Sequence, residues 1–111
     1  MHITMEKDGA TLLMKLQGRL DVANASVLEQ AAEQALQAGD QLLVLDFSKL
    51  DYISSAGLRS LLTLHKQVKA QDGKLALCNL QGMVKEVLDI SGLATMLAVF
   101  DSTAAALAAM R

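Results

Sequence analysis

The sequence predicts an α/β domain built on a mostly parallel, mixed β-sheet, with an antiparallel hairpin at its N-terminus and about four α-helices. Residues 42–45 form a continuous apolar run, and residues 74–80 are a second candidate for a strand buried on both faces. Between and after these runs, apolar residues recur at helical spacing. Helices that alternate with buried strands favour right-handed crossovers, and therefore a parallel sheet.

The first two strands are predicted at residues 3–6 and 12–17. The Asp-Gly pair in the intervening Lys7-Asp8-Gly9 suits a hairpin turn, so these strands should be antiparallel neighbours. Residues 22–38 then have the apolar stripe of an amphipathic helix, and Gly39 is the expected C-cap.

The remainder of the chain continues the alternation of strands and helices. A strand at 42–47 leads through two serines into a second helix, which should end near residues 71–73. The remaining elements are a strand, a short helix, a last strand and an Ala-rich helix, predicted at 74–80, 83–90, 96–100 and from 101–103 to about 110. No proline and no Gly/Ser-rich linker interrupts the chain, so residues 1–111 are predicted to form a single domain.

Composition and charge disfavour several classes of function. Hydrophobic residues make up 52% of the chain and charged residues 20%, which predicts a well-filled core rather than disorder. The formal net charge is −2 and no Lys/Arg cluster occurs, so nucleic acid is not an expected partner. Cys78 is the only cysteine, and no apolar run approaches the roughly 20 residues that span a bilayer. We therefore expect a cytoplasmic protein without membrane insertion.

The segment between the third predicted strand and the second helix carries the candidate site. Ser54 and Ser55 fall at the helix N-terminus, where backbone N–H groups lack partners, so a hydroxyl caps well and a phosphate would be held. One hydroxyl suffices as the cap, which leaves the other free. Gly57 costs the first turn about 0.5 to 1 kcal/mol relative to Ala, which indicates a close approach to the backbone. Arg59 lies near the positive end of the helix dipole, where a cation is disfavoured. An anion or an acidic partner nearby would make an arginine favourable at this position.

Two alternative chemistries at this region lack the partners they need. A serine hydrolase requires a base beside its nucleophile, but His65 lies about 15 Å of helical rise from Ser55. The first glycine of G-x-S-x-G is also missing. A phospho-aspartate receiver could use Asp46, but the sequence supplies neither the acidic Mg²⁺ cluster nor the late Lys. No metal or phosphate-loop motif occurs, so we expect no enzymatic activity, metal or cofactor.

Three blocks, in order, are similar to the signature of one family. Gly18-Arg19-Leu20-Asp21 is similar to the G-x-L-D that closes the second strand in that family. The central block combines residues 45–48 with residues 52–58, and the third block is residues 88–93. On these blocks the whole chain resembles a stand-alone STAS domain of the anti-sigma factor antagonist type. The resemblance implies the STAS-type fold, in which the acceptor serine begins the second helix.

The resemblance also implies a partner-switching role. A serine-protein kinase that is also an anti-sigma factor would phosphorylate Ser55, and a PP2C-type phosphatase would restore it. Many family members have Asp before the acceptor and Ser or Thr after it, whereas Ser54 and Ala56 flank it here, so Ser54 stays the second choice of acceptor. The expected docking surface comprises Asp21, Ser54, Ala56, Gly57, Leu58 and Arg59.

Two other functions are compatible with the same sequence. A STAS subunit that is not phosphorylated, as in ABC lipid-transport systems, would use the same surface to bind an ATPase. A generic α/β interaction module would use its serines only as caps. The sequence does not fix the kinase, the output pathway, the oligomeric state or any small-molecule ligand.

Overall fold

The computed structural model describes residues 1–111 as a five-stranded mixed sheet flanked by helices. The strands lie in the order β1-β2-β3-β4-β5; β1 and β2 are antiparallel, and all other neighbours are parallel. This confirms the predicted fold class. In chain order the elements are β1 (His2–Asp8), β2 (Thr11–Leu20), α1 (Ala25–Gln37), β3 (Leu42–Ile53), α2 (Ser55–Ala70), β4 (Lys74–Cys78), α3 (Gly82–Ser91), α4 (Leu93–Met96), β5 (Ala98–Phe100) and α5 (Thr103–Met110).

The two faces of the sheet carry cores of different size. Side chains alternate between the faces along each strand, so Leu43 and Leu45 enter the larger core while Val44 enters the smaller one. The larger core contains 22 buried residues and includes the apolar faces of α1, α2 and α3. The smaller core contains six buried residues, among them Ala106 and Met110 of α5. Helix α5 therefore covers the face opposite the other long helices.

Strands β2 and β3 extend past their predicted ends at residues 17 and 47. They pair with each other as far as Leu20 and Ile53, whereas β4 already ends at Cys78. Beyond β4, helix α3 occupies the space beside β3, and the Gln81 side chain donates a hydrogen bond to the Ser48 carbonyl. The long β2–β3 pair brings two distant segments of the chain to the start of α2.

Helix α1 starts three residues later than predicted, because residues 21–24 form a turn. The Asp21 carbonyl accepts hydrogen bonds from the N–H groups of Asn24 (3.2 Å) and Ala25 (2.8 Å). The Asp21 N–H donates to Asn24 Oδ1 at 2.9 Å. A four-residue helix, Leu93–Met96, was not predicted, and it displaces the start of β5 to Ala98.

Cys78 is a buried thiol in β4, which agrees with the buried strand predicted at residues 74–80. Its Sγ lies 3.7 Å from Thr103 Oγ1, and burial raises the pKa of the thiol. None of the helices has the length and apolar character needed to cross a membrane.

Candidate functional site

Ser54 joins β3 to α2 and is the N-cap of the helix. Its backbone is extended, with φ −101° and ψ 176°, and its Oγ accepts a hydrogen bond from the Gly57 N–H at 3.3 Å. Its own N–H donates to the Leu20 carbonyl at 3.0 Å. The side chain of Ser54 thus satisfies a first-turn donor, and its backbone fixes the helix start to the end of β2.

Ser55 is the first residue of α2, and its environment differs from that of Ser54. Its side chain is exposed, whereas Ser54 is partly buried. The Ser55 hydroxyl takes part in none of the side-chain hydrogen bonds within the chain, because the capping bond to Gly57 comes from Ser54. The structure therefore assigns the cap to Ser54 and leaves the hydroxyl of Ser55 free.

Gly57 is buried, and its closest neighbours belong to the ends of β2 and β3. A Cβ on this residue would lie 2.6 Å from the Leu20 carbonyl oxygen and 2.8 Å from Ile53 Cγ1. The close backbone approach expected from the sequence is therefore real, but it is made by β2 rather than by an incoming partner. Gly57 supports the site from beneath and does not belong to its exposed surface.

The exposed residues around the serines border an open depression of about 440 Å³. Three of the predicted surface residues, Asp21, Ala56 and Arg59, meet here with the two serines. Leu58 lies outside the depression, half-buried against the larger core. The complete lining is Arg19, Asp21, Val22, Tyr52, Ser54, Ser55, Ala56 and Arg59.

Arg19, Tyr52 and Val22 also border the depression, although the sequence did not single them out as site residues. Arg19 and Tyr52 are cross-strand partners, and the guanidinium carbon lies 4.0 Å from the centre of the tyrosine ring. Arg19 Nε is 3.5 Å from Asp21 Oδ2. Val22 is 83% exposed. The pairing of Arg19 with Tyr52 depends on the long β2–β3 register, which local periodicity does not reveal.

The depression presents two arginines to the free hydroxyl of Ser55. Arg59 is exposed and belongs to none of the four ion pairs of the chain, while Arg19 shares its charge with Asp21. The first-turn N–H groups of α2 and their positive dipole point to the same side. An anion attached to Ser55 would therefore meet favourable charge, whereas the unmodified site retains uncompensated positive charge.

The residues considered for other chemistries lie elsewhere. His65 borders a separate groove near the other end of α2. Asp46 lies within β3 rather than at its end, where one oxygen accepts hydrogen bonds from the Ser48 N–H and the Asn79 side chain, both at 2.9 Å. No group of three or more His, Cys, Asp or Glu side chains is placed to hold a metal ion.

The fold and this site define a small α/β domain that presents a free serine hydroxyl at a helix N-terminus. Residues 2–106 match the model of the STAS domain, and the chain belongs to that family. The whole chain is 42% identical, over 111 residues, to a Bordetella bronchiseptica protein described as a candidate anti-sigma factor antagonist, BtrV, and covers 96% of it.

Solved structures show the same fold at low sequence identity. A candidate anti-sigma factor antagonist from Thermotoga maritima superposes with a TM-score of 0.93 at 19% identity, over 98% of this chain and 94% of that one. The Bacillus cell fate determinant SpoIIAA in its phosphorylated form gives a TM-score of 0.76 at 20% identity, over 99% of this chain and 100% of that one.

Proposed function

We propose that this protein is an anti-sigma factor antagonist controlled by reversible phosphorylation of Ser55. A serine-protein kinase that acts as the anti-sigma factor would bind the unmodified site and phosphorylate it, and a PP2C-type phosphatase would remove the phosphate. The observation that carries the proposal is that the two serines have different hydrogen bonding: Ser54 caps the helix, and the exposed Ser55 hydroxyl is free. The name of the Bordetella relative and the phosphorylated form of SpoIIAA support it.

The surroundings of Ser55 explain how a phosphate could be added without disturbing the fold. The Gly57 and Leu58 N–H groups already bond to Ser54, through its Oγ and its carbonyl oxygen. The earlier N–H groups of the first turn have no intrahelical acceptor, and they can donate to phosphate oxygens. Arg59 is unpaired, and Arg19 can exchange its contact with Asp21 for the phosphate.

The effect on the partner follows from charge and bulk at the interface. Phosphorylation adds about −1.5 to −2 charge and three acceptor oxygens. In the unmodified state the depression offers two arginines and the exposed Val22 to an acidic, partly apolar partner surface. A phosphate would neutralise the arginines and place charge beside the apolar contact. Binding to the kinase is therefore lost while the fold persists, and the protein acts as a substrate rather than an enzyme.

The primary test is phosphate transfer to the full chain in a cytoplasmic extract of the source organism supplied with ATP, followed by intact mass and peptide mapping. Wild type should gain one phosphate, mapped to Ser55, and Ser55→Ala should gain none. Ser54→Ala is the matched control, because it removes the neighbouring hydroxyl and the cap but keeps the acceptor. It should still be phosphorylated.

The outcomes separate the proposal from its rival. A phosphate on Ser54, retained in Ser55→Ala, would overturn the assignment of the acceptor. An unmodified protein that co-purifies with a transporter ATPase would instead favour the ABC-transport subunit. The proposed partners require the cytoplasmic location that the sequence predicts.

A further inference from the structure

A second surface lies near the C-terminal end of α2, remote from Ser55. Strand β5 has three residues and pairs only with Ala76–Cys78, so Lys74 and Leu75 at the start of β4 have no strand on that side. Helices α2 and α5 flank the resulting gap. It forms a groove of about 410 Å³, within the range of roughly 300 to 1,000 Å³ that small-molecule sites occupy.

The groove combines an apolar floor with a basic rim. Val68, Leu75 and Met110 are each less than a tenth exposed and form the base. Lys69 and Lys74 are exposed at its edge, and no acidic side chain lines it. Neither lysine belongs to any of the four ion pairs of the chain. The two lysines also outweigh the partial negative charge of the α2 C-terminus, so the rim favours an anion.

We propose that this groove binds a single-chain amphiphile with an anionic head group, of the class of medium-chain fatty carboxylates. The alkyl chain lies along the apolar floor between α2 and α5, and the carboxylate lies between Lys69 and Lys74. A groove of about 410 Å³ at the end of a short edge strand suits one alkyl chain rather than a lipid surface. This site does not depend on the phosphorylation of Ser55, because α2 has 16 residues and separates the two regions by about 20 Å.

The direct test is titration of the ¹⁵N-labelled full chain with octanoate and decanoate below their micelle-forming concentrations. We expect saturable one-to-one binding, with amide shifts centred on Val68, Leu75 and Ala98 and none at Ser55. Each buried methylene should tighten binding about fourfold, so decanoate should bind about 15-fold more tightly than octanoate. Decanol, which lacks the charge, should bind several-fold more weakly than decanoate.

Variants test the two halves of the groove separately. Lys69→Gln combined with Lys74→Gln should weaken decanoate binding several-fold, whereas Lys66→Gln, on the same helix but outside the groove, should leave it unchanged. Ala98→Trp or, from the α5 side, Ala109→Trp should fill the groove and abolish binding, since both alanines are exposed and either change should preserve folding.

Four results would overturn the proposal. They are the absence of saturation by 1 mM decanoate, shifts that do not map to the groove, equal affinity of the double lysine variant and wild type, or binding seen only with anionic phospholipid vesicles and not with monomeric decanoate.

Discussion

The two ends of helix α2 are fixed by similar glycine–carbonyl contacts, but one borders a polar surface and the other an apolar one. At the N-terminal end, Gly57 lies against the Leu20 carbonyl; just past the C-terminal end, Gly73 lies against the Gln41 carbonyl, where a Cβ would be only 2.3 Å from the oxygen. The first end opens on a polar depression with a free hydroxyl, and the second opens on an apolar groove with a basic rim. A helix held at both ends by glycine–carbonyl packing can thus support two separate surfaces.

The largest effect is expected from Gly57→Ala. We expect a loss of about 2 kcal/mol in the free energy of unfolding, because contact with a backbone oxygen cannot be relieved by a rotamer change and outweighs the helix propensity that Ala gains. Urea denaturation measures this loss. Kinase binding should fall as well, since the start of α2 must shift.

Gly73→Ala is the matched control for that prediction. It meets a carbonyl at the other end of the same helix and should cost a comparable amount of stability. Folded Gly73→Ala should nevertheless bind the kinase like wild type. Loss of kinase binding in both variants would mean that the two ends are not independent.

The next effect concerns charge at Ser55. Ser55→Asp should bind the kinase about tenfold more weakly than wild type, or roughly 1.4 kcal/mol, because it places a carboxylate where the partner meets Arg19 and Arg59. Ser55→Ala should remain bound in the presence of ATP, since it cannot be phosphorylated. Calorimetric titration with the purified kinase measures both affinities, and equal affinities would contradict the switching mechanism.

The two serines should contribute to the stability of the fold in the opposite order to their contribution to kinase binding. Ser54→Ala removes the cap and should cost about 1 kcal/mol, which lowers the Tm by roughly 4 °C or more. Ser55→Ala removes an exposed hydroxyl without a partner and should stay within about 0.5 kcal/mol of wild type. A thermal denaturation series distinguishes them, and the reverse order would show that the cap is misassigned.

The smallest effect is expected from Arg19→Gln, on the stability that phosphorylation adds. Phosphorylation of Ser55 should raise the stability of wild type by about 0.5 to 1 kcal/mol through the helix dipole and the arginines. Arg19→Gln should reduce that gain by a few tenths of a kcal/mol, whereas Lys66→Gln, on the far part of α2, should not. The difference in Tm between phosphorylated and unmodified forms of each variant measures the contribution.

Local patterns predicted most of the elements, and the misplaced ends of β2 and β3 have one cause. The strand at Leu42–Leu45 and the helix after Ser55 were predictable because the pattern of apolar side chains is visible within a short stretch of sequence. The true ends of β2 and β3 depend on pairing between segments more than 30 residues apart, such as Leu20 with Ile53. Boundaries set by a distant partner leave little trace in local sequence.

Capping and hydrophobic spacing act between near neighbours, so they were sufficient to predict the order of the strands and of the longer helices and the placement of two serines at a helix start. The family resemblance rests on three short blocks of the sequence. Three-dimensional packing was needed to show that Ser54 is the cap, that β2 lies against Gly57, and that Arg19 packs on the Tyr52 ring at the site. It also revealed the groove at the end of the short strand β5. Apart from the capping bond between Gly57 and Ser54, which is local, these features arise from contacts between residues far apart in the chain, which the packing of the sheet brings together.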